Sequence, residues 1–361
     1  MKVGIITFHF AHNYGAMLQA YALQEKISQL GHDTYIIDYR PEYHTNKFKR
    51  HISWMSCFEG SPKTIIHNII KKIISAPYQA DRYDGYENFM NRYMRLYPFQ
   101  SHYDLNTFDA LVLGSDQIWN PYLTGGDFDE MYYGKGVSCK VISYAASNQT
   151  SSITRELQYK YRSLLENLSA IGVREKKLLE LLQPLTEMKI ALNLDPTLIA
   201  DATSYDKLDL LRPCYEKYVI VYEIGYHKPV QDMAADYAKK IGAKVISLTG
   251  VIDIKTIKGY DLTASPEKFV AYIKHAECIF TTSFHGTALS IVFNKPFYTV
   301  RQNTNGDLRM QSLLEQLNLT SRFVQMGTKV DVVAIDYVDV INRLNQLRQD
   351  SVNYLIKELA E

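Results

Sequence analysis

The stretch Cys278–Phe297, CIFTTSFHGTALSIVFNKPF, decides how this 361-residue chain is read. Its opening, Cys278-Ile279-Phe280-Thr281-Thr282, is a short apolar, β-branched run that predicts a buried strand. Ser283-Phe284-His285-Gly286-Thr287 follows, small and polar apart from Phe284. Ala288 to Phe293 has the composition of a short buried helix. Asn294-Lys295-Pro296 stops that helix before a new strand over Phe297 to Val300. The pattern places Ser283 and His285 at the carboxyl end of a strand, just where a helix begins. Ligands of open α/β sheets bind at that edge, and the unpaired N–H groups of a helix start favour an anion there. A capped helix with a packed histidine would leave the same pattern, so this stretch alone keeps both readings open.

The alternation continues outward on both sides. Downstream of Tyr218 come a strand (YVIVYEI), a helix over Pro229 to Ile241 and a strand over Lys244 to Leu248. A helix over Pro266 to His275, begun by Ser265-Pro266-Glu267, then precedes the opening stretch. A further helix is expected around Leu308 to Leu317. Upstream, Val3 to Phe8 reads as a strand and His9 to Gly15 as a loop. Ala16 to Leu30 reads as a helix ended by Gly31, and Thr34 to Tyr39 as the next strand. The loop is not GxGxxG, so the dinucleotide fingerprint is absent. Asn13 and Gly15 stand out in it; Gly15 either lets a ligand approach the backbone or makes a tight turn. The strand Asp109 to Gly114 runs into Ser115-Asp116-Gln117-Ile118-Trp119-Asn120-Pro121. There Asp116, Gln117 and Asn120 offer hydrogen bonds to hydroxyls and Trp119 offers a stacking face, unless Asp116 only caps a turn. Arg174 ends the strand Ala170 to Val173, placed either to clamp a carboxylate or phosphate or to pair with a neighbouring helix.

The expected fold class is therefore α/β, with two doubly wound Rossmann-like domains facing a cleft. The first covers residues 1–200 and carries a basic insertion around 43–104. A polar linker spans 201–216, the second domain spans 217–335, and a helix over 336–361 could pack back on the first domain. Between His44 and Lys72, six basic residues (Lys47, Lys49, Arg50, Lys63, Lys71, Lys72) face one acid, Glu59. Ile65, Ile66, Ile69, Ile70, Ile73 and Ile74 recur there at helical spacing. That stripe suits a packed helix or a basic amphipathic helix on an anionic membrane surface.

Composition narrows the class. A hydrophobic fraction of 46% with 22% charged residues is that of a soluble globular protein, and a net charge of +1 implies no general attraction to nucleic acid. The four cysteines are widely spaced with no metal-type cluster, which suits reduced thiols in a cytoplasm. MKVGIITF is too short an apolar run for a signal peptide, and no 18-residue apolar stretch occurs, so a cytoplasmic location is expected.

Five motifs then come together: TFHFAHNYGAMLQAYALQ from Thr7, LGSDQIWNP from Leu113, IGVREK from Ile171, NLDPTL from Asn193, and TTSFHGTALSIVFNKPF from Thr281. In this order they resemble the polysaccharide pyruvyl transferase family. The resemblance implies a GT-B-like fold. It also implies transfer of pyruvate from phosphoenolpyruvate to two hydroxyls of one sugar as a cyclic ketal, in capsular or exopolysaccharide biosynthesis. It implies no cofactor beyond that donor substrate and no metal. The partner would be a sugar or lipid-linked oligosaccharide acceptor, with possible contact at the inner membrane face. By position, His285 matches the family histidine and Arg174 the arginine of the first-domain half of the cleft. Many members carry an arginine two residues before that histidine, where this chain has Ser283; Arg301 and Arg309 are the nearby cations. Histidine, whose ordinary pKa is about 6.5, moves protons readily at neutral pH. Thr282, Ser283 and the amides of Gly286 and Thr287 would hold the donor's anions. Asn13, Gly15, Asp116, Gln117, Trp119 and Asn120 would face the acceptor. A nucleotide-sugar glycosyltransferase of the same fold and a non-catalytic glycan-binding protein are the alternatives.

Overall fold

The first sheet is assembled from short apolar runs too brief to stand alone. In the computed structural model, which describes residues 1–45, 48, 50, 58, 60–213, 216–252, 255–256 and 259–360, they pair in parallel. β1 (Lys2–Ile6), β2 (Asp33–Asp38), β3 (Leu96–Pro98), β4 (Ala110–Leu113) and β5 (Lys140–Ser143) take the order β3-β2-β1-β4-β5. β6 (Ile171–Val173) and β7 (Ile190–Leu192) pair with each other and extend the sheet through bridges from Ile142 to Ala170 and from Ala146 to Val173. The second sheet takes β8 (Tyr218–Glu223), β9 (Lys244–Thr249), β10 (Tyr260–Asp261), β11 (Cys278–Thr281), β12 (Phe297–Val300) and β13 (Phe323–Val324). Its order is β10-β9-β8-β11-β12-β13.

Parallel strands need crossover connections and are covered on both faces, which is why β4, β11 and β12 are apolar runs buried along their whole length. Strand order reverses between β1 and β4 and between β8 and β11. Each reversal opens a crevice at the carboxyl ends of the strands, and the two crevices face one another.

Aromatic side chains lock the halves together. Tyr14, at the start of the Tyr14–Gln29 helix, stacks on Phe269 with centroids 4.4 Å apart and sits against Tyr86 and Tyr222. Its hydroxyl donates to the Ala264 carbonyl at 2.9 Å. The Tyr337–Ala360 helix begins on the second domain, where the Tyr337 hydroxyl donates to the Lys295 carbonyl, and returns to the first. There Arg348 donates to the Leu198 carbonyl, Tyr354 to the Ser143 carbonyl, and the Leu194 amide to Ser351 Oγ.

Two expectations change. The stretch 43–104 is no mere insertion: it contains β3 and the long Pro62–Tyr93 crossover helix, whose buried Tyr86, Phe89 and Met90 join the main core. Within the stretch expected as a linker, 201–216, Tyr205 and Leu208 are buried in that core. The helix expected from Ala288 begins at Phe284. Every residue from Phe284 to Val292 is buried, so tertiary packing outweighs the weak helix preference of the glycine and threonine in its first turn.

Candidate functional site

A cavity of about 370 Å³ lies between the two sets of strand ends. The first domain contributes Asn13, Asp116 and Gln117, and the second contributes Thr282, Ser283, His285 and Arg309.

His285 owes its position to two helix starts that meet. Ser283 is the extended N-cap residue of the Phe284–Val292 helix, its amide donating to Thr281 Oγ1 at 3.0 Å. His285 thus sits in the first turn, 6% exposed, rather than in a polar loop. Opposite lies Gly15, in the first turn of the Tyr14–Gln29 helix. A Cβ there would stand 1.9 Å from His285 Nδ1. The space that Gly15 leaves is filled by the imidazole and not by a ligand. Gly286 is also glycine for packing: a Cβ would meet Thr281 Oγ1 at 2.3 Å. Thr287 is spent inside the helix, since its amide and hydroxyl both donate to the Ser283 carbonyl at 3.1 Å. The Thr287 amide is therefore taken by the helix, and neither Gly286 nor Thr287 lines the cavity. Thr282 and Ser283 do face the cavity.

Behind His285 runs a buried ionic network. Asp195 Oδ2 accepts from Arg174 Nη1 at 2.5 Å and from Ser115 Oγ at 3.3 Å, and lies 3.6 Å from His285 Nε2. Asp195 Oδ1 accepts from the Thr197 amide and hydroxyl, capping the short Pro196–Ile199 helix. Burial alone would raise the Asp195 carboxyl, but His285, Arg174 and Thr197 hold it far below the usual carboxylate range. Burial works against the charge of Arg174, yet Asp195, Glu175 and Asp116 raise its pKa. Burial pushes the Glu175 carboxyl up, against the pull of Arg174 and Arg309. Sequence reading placed Asp195 in a motif but not in the site. Its Asp-Pro-Thr context signalled a cap, and that is the work of one oxygen only.

Arg174 departs from expectation. Its Cζ lies 4.9 Å from the Phe284 ring centre, and it lines a second cavity behind that ring instead of the front cavity. Of the two other cations, Arg301 packs over Phe323 at 3.8 Å and stays outside the cleft, whereas Arg309 lines it. Arg309 Nε is buried without a hydrogen-bond partner, and among the described residues no carboxylate oxygen lies within 4.0 Å of its guanidinium. Burial and the neighbouring Arg174 both lower its pKa.

The loop after β4 divides in the same way. Asp116 lines the cleft, held at φ +70°, 3.5 Å from Arg174 Nη2, and Gln117 lines it beside Asp116. Trp119 does not: it is fully buried, stacked on Tyr133, and its Nε1 donates to the Tyr132 carbonyl at 2.9 Å. Asn120 is buried too, donating to Gln117 Oε1 and accepting from the Tyr122 amide. Asn13 caps its helix by accepting from the Gly15 and Ala16 amides, and still faces the cavity. Among the described residues no group of His, Cys, Asp and Glu is arranged to hold a metal ion.

Two Rossmann-like domains face one another across the cleft, with a histidine backed by a buried carboxylate at their junction. The chain belongs to the polysaccharide pyruvyl transferase family, which it matches over residues 13–304, and is an enzyme of that type. The solved structures to which the chain is similar have little sequence in common with it. The UDP-GlcNAc 2-epimerase of Methanocaldococcus jannaschii is 12% identical, with 100% of this chain and 99% of that one covered and a TM-score of 0.49. The UDP-GlcNAc 2-epimerase of Neisseria meningitidis, bound to UDP-GlcNAc, is 11% identical with full coverage of both chains and a TM-score of 0.47. The O-GlcNAc transferase of Thermobaculum terrenum is 10% identical, over 99% of this chain and 64% of that one, with a TM-score of 0.39. No curated protein sequence matches.

Proposed function

We propose that the protein moves the pyruvyl group of phosphoenolpyruvate onto two hydroxyls of one sugar, closing a cyclic ketal and releasing phosphate. The observation that carries this reading is the junction of His285 with an anion-ready wall. His285 is backed by Asp195 at 3.6 Å, and Thr282, Ser283 and Arg309 line the same cleft.

The chemistry needs one proton delivered and two removed. C3 of the enol gains a proton and becomes a methyl group, while C2 gains a bond to the first sugar oxygen. The C2–O bond to phosphate then breaks, and phosphate leaves with the electron pair. The second hydroxyl attacks C2 and closes the ring. One hydroxyl proton ends on C3 and the other on phosphate, so atoms and charge balance. His285 can take the first hydroxyl's proton and return it to C3. Asp195 stabilises the imidazolium formed between those events. Arg309 and the two hydroxyls of Thr282 and Ser283 meet the donor's carboxylate and phosphate. Asp116 and Gln117 fit sugar hydroxyls.

The experiment is incubation with phosphoenolpyruvate and galactose-, mannose- or N-acetylhexosamine-terminated acceptors. Mass spectrometry should read the gain of one pyruvyl group, with phosphate released in equal amount. His285→Gln keeps the shape but cannot relay a proton, and should lower kcat by about 10²–10⁴. Turnover with a sugar nucleotide and none with phosphoenolpyruvate would replace this reading with glycosyl transfer.

Capsular or exopolysaccharide biosynthesis at the inner face of the membrane is the setting this reading favours. Among the described residues no helix is long and apolar enough to cross a membrane. The Pro62–Tyr93 helix nevertheless exposes Ile66, Ile70 and Ile73 on one side, at 59%, 42% and 57%. No acid occurs between Pro62 and Gln79, while Lys63, Lys71 and Lys72 do. At about 100° per residue, Lys71 and Lys72 fall on opposite flanks of that stripe, which suits a helix lying on an anionic bilayer.

A further inference from the structure

Beside the front cleft lies a side pocket of about 270 Å³. The two abut along the segment Ala11-His12-Asn13. Ala11 and Asn13 line the cleft, His12 lines the pocket, and Phe48 lines both. The Pro62–Tyr93 helix supplies Ser75, Gln79, Arg82 and Tyr83, and the loop after β9 supplies Gly250, Val251 and Ile252. Both domains thus build the pocket, as they build the cleft.

Its walls are held by contacts of their own. The His12 ring stacks on Tyr86 with centroids 4.9 Å apart, and meets Phe48 at 5.1 Å and Tyr83 at 5.0 Å. Arg82, 7% exposed, donates from Nη1 to the Thr249 carbonyl at 3.2 Å and from Nη2 to the Gly250 carbonyl at 3.0 Å. These bonds tie the helix to the loop across the domain junction and commit the guanidinium. Among the described residues no lysine or carboxylate lines the pocket. The remaining lining is apolar and aromatic at Phe48, Tyr83, Val251 and Ile252, with neutral hydrogen-bonding groups at Ser75 and Gln79. Phe48, Tyr83, Ser75 and Gln79 are each part exposed. That mixture suits a pyranose, which pairs an apolar C–H face with a rim of hydroxyls. An anion would give up its hydration for a guanidinium already engaged with two carbonyls, so the pocket suits a neutral ligand.

We infer that this pocket binds the sugar next to the one that receives pyruvate, so that the acceptor is at least a disaccharide reaching past Phe48. The inference rests on the proposed reaction for the sugar in the cleft. Ketal closure needs one sugar to present two hydroxyls to C2 in succession. A second sugar anchored outside the cleft keeps the first in place between the two attacks, and its binding energy goes into that orientation.

The test pairs monosaccharide methyl glycosides with disaccharides of the same terminal sugar: galactose with lactose, mannose with mannobiose, and N-acetylglucosamine with chitobiose. In at least one pair the disaccharide should show a kcat/KM tenfold or more above the monosaccharide. Saturation-transfer NMR without donor should find both rings of that disaccharide in contact with the protein. Tyr83→Ala removes a ring face. Val251→Trp fills the pocket from a loop position that is 40% exposed, which covers the case in which the alanine variant fails to fold. Each should cancel the preference for the disaccharide while the KM values for the monosaccharide and for phosphoenolpyruvate stay within threefold. Equal efficiency within every pair in wild type would overturn the inference. So would a preference kept by both variants, or one lost only together with monosaccharide turnover. Disaccharide contact that either variant abolishes, in a protein that transfers no pyruvate, would keep this subsite and sink the proposed reaction instead.

Discussion

Gly15→Ala is the sharpest probe of the site, because it adds one methyl group and no charge. The new Cβ would stand 1.9 Å from Nδ1, 2.3 Å from Cγ and 2.5 Å from Cε1 of His285. Ordinary contact begins near 3.5 Å, so the imidazole must recede by about 1.5 Å. Asp195 Oδ2 lies 3.6 Å from the far nitrogen and the Phe284 ring meets the imidazole edge-on, so the ring must tilt out of register. Overpacking of this kind costs about 1–3 kcal/mol, but alanine is also the better helix former by about 0.5–1 kcal/mol. The net loss of stability should therefore be small, about 0–2.5 kcal/mol. Activity should suffer far more, since a displacement of about 1 Å can cost about 10²-fold in rate. Denaturant unfolding would give the first quantity, and phosphate release with phosphoenolpyruvate and an acceptor the second. A folded Gly15→Ala protein with kcat within threefold of wild type would refute the claim that His285 must sit where it does.

Other consequences are independent of that contact. Trp119→Ala should destabilise by about 3–5 kcal/mol, as for a fully buried aromatic, with acceptor KM unchanged in the folded protein; a raised acceptor KM would restore its role as a sugar platform. Asp38 is held down to about 2 because hydrogen bonds from His9 and Arg40 outweigh the effect of burial. Its folded pKa lies below the unfolded value, so it contributes stability above about pH 4, about 2 kcal/mol, which fades as pH falls toward 2. Asp38→Asn should thus be less stable by that amount at pH 7 and converge with wild type in acid, as urea midpoints across pH would reveal. Sedimentation with anionic vesicles should weaken when Ile66, Ile70 and Ile73 become Ser or when Lys71 and Lys72 become Glu; equal sedimentation, or none in wild type, would end the membrane reading.

The sequence by itself determined the two α/β halves, most element boundaries to within a few residues, and the strand ends from which the site is built. Apolar runs bounded by turn formers record burial and periodicity, and both survive in a linear text. His285, Thr282, Ser283, Asp116 and Gln117 were legible because residues after parallel strands face the crevice whatever the details of packing. Only the tertiary structure decided which neighbour each side chain meets. The same LGSDQIWNP run sends Asp116 into the cleft and Trp119 into the core, because one residue's turn reverses the side that the next faces. Arg301 and Arg309 were equivalent in text, yet one lies over Phe323 and the other beside Arg174. Gly15 read as a turn or ligand contact until His285, from the far half of the chain, filled its missing side chain. Asp195 was one letter of a motif until its second oxygen met Arg174. Such pairings depend on distances between segments far apart in the chain, and residue spacing carries no record of them.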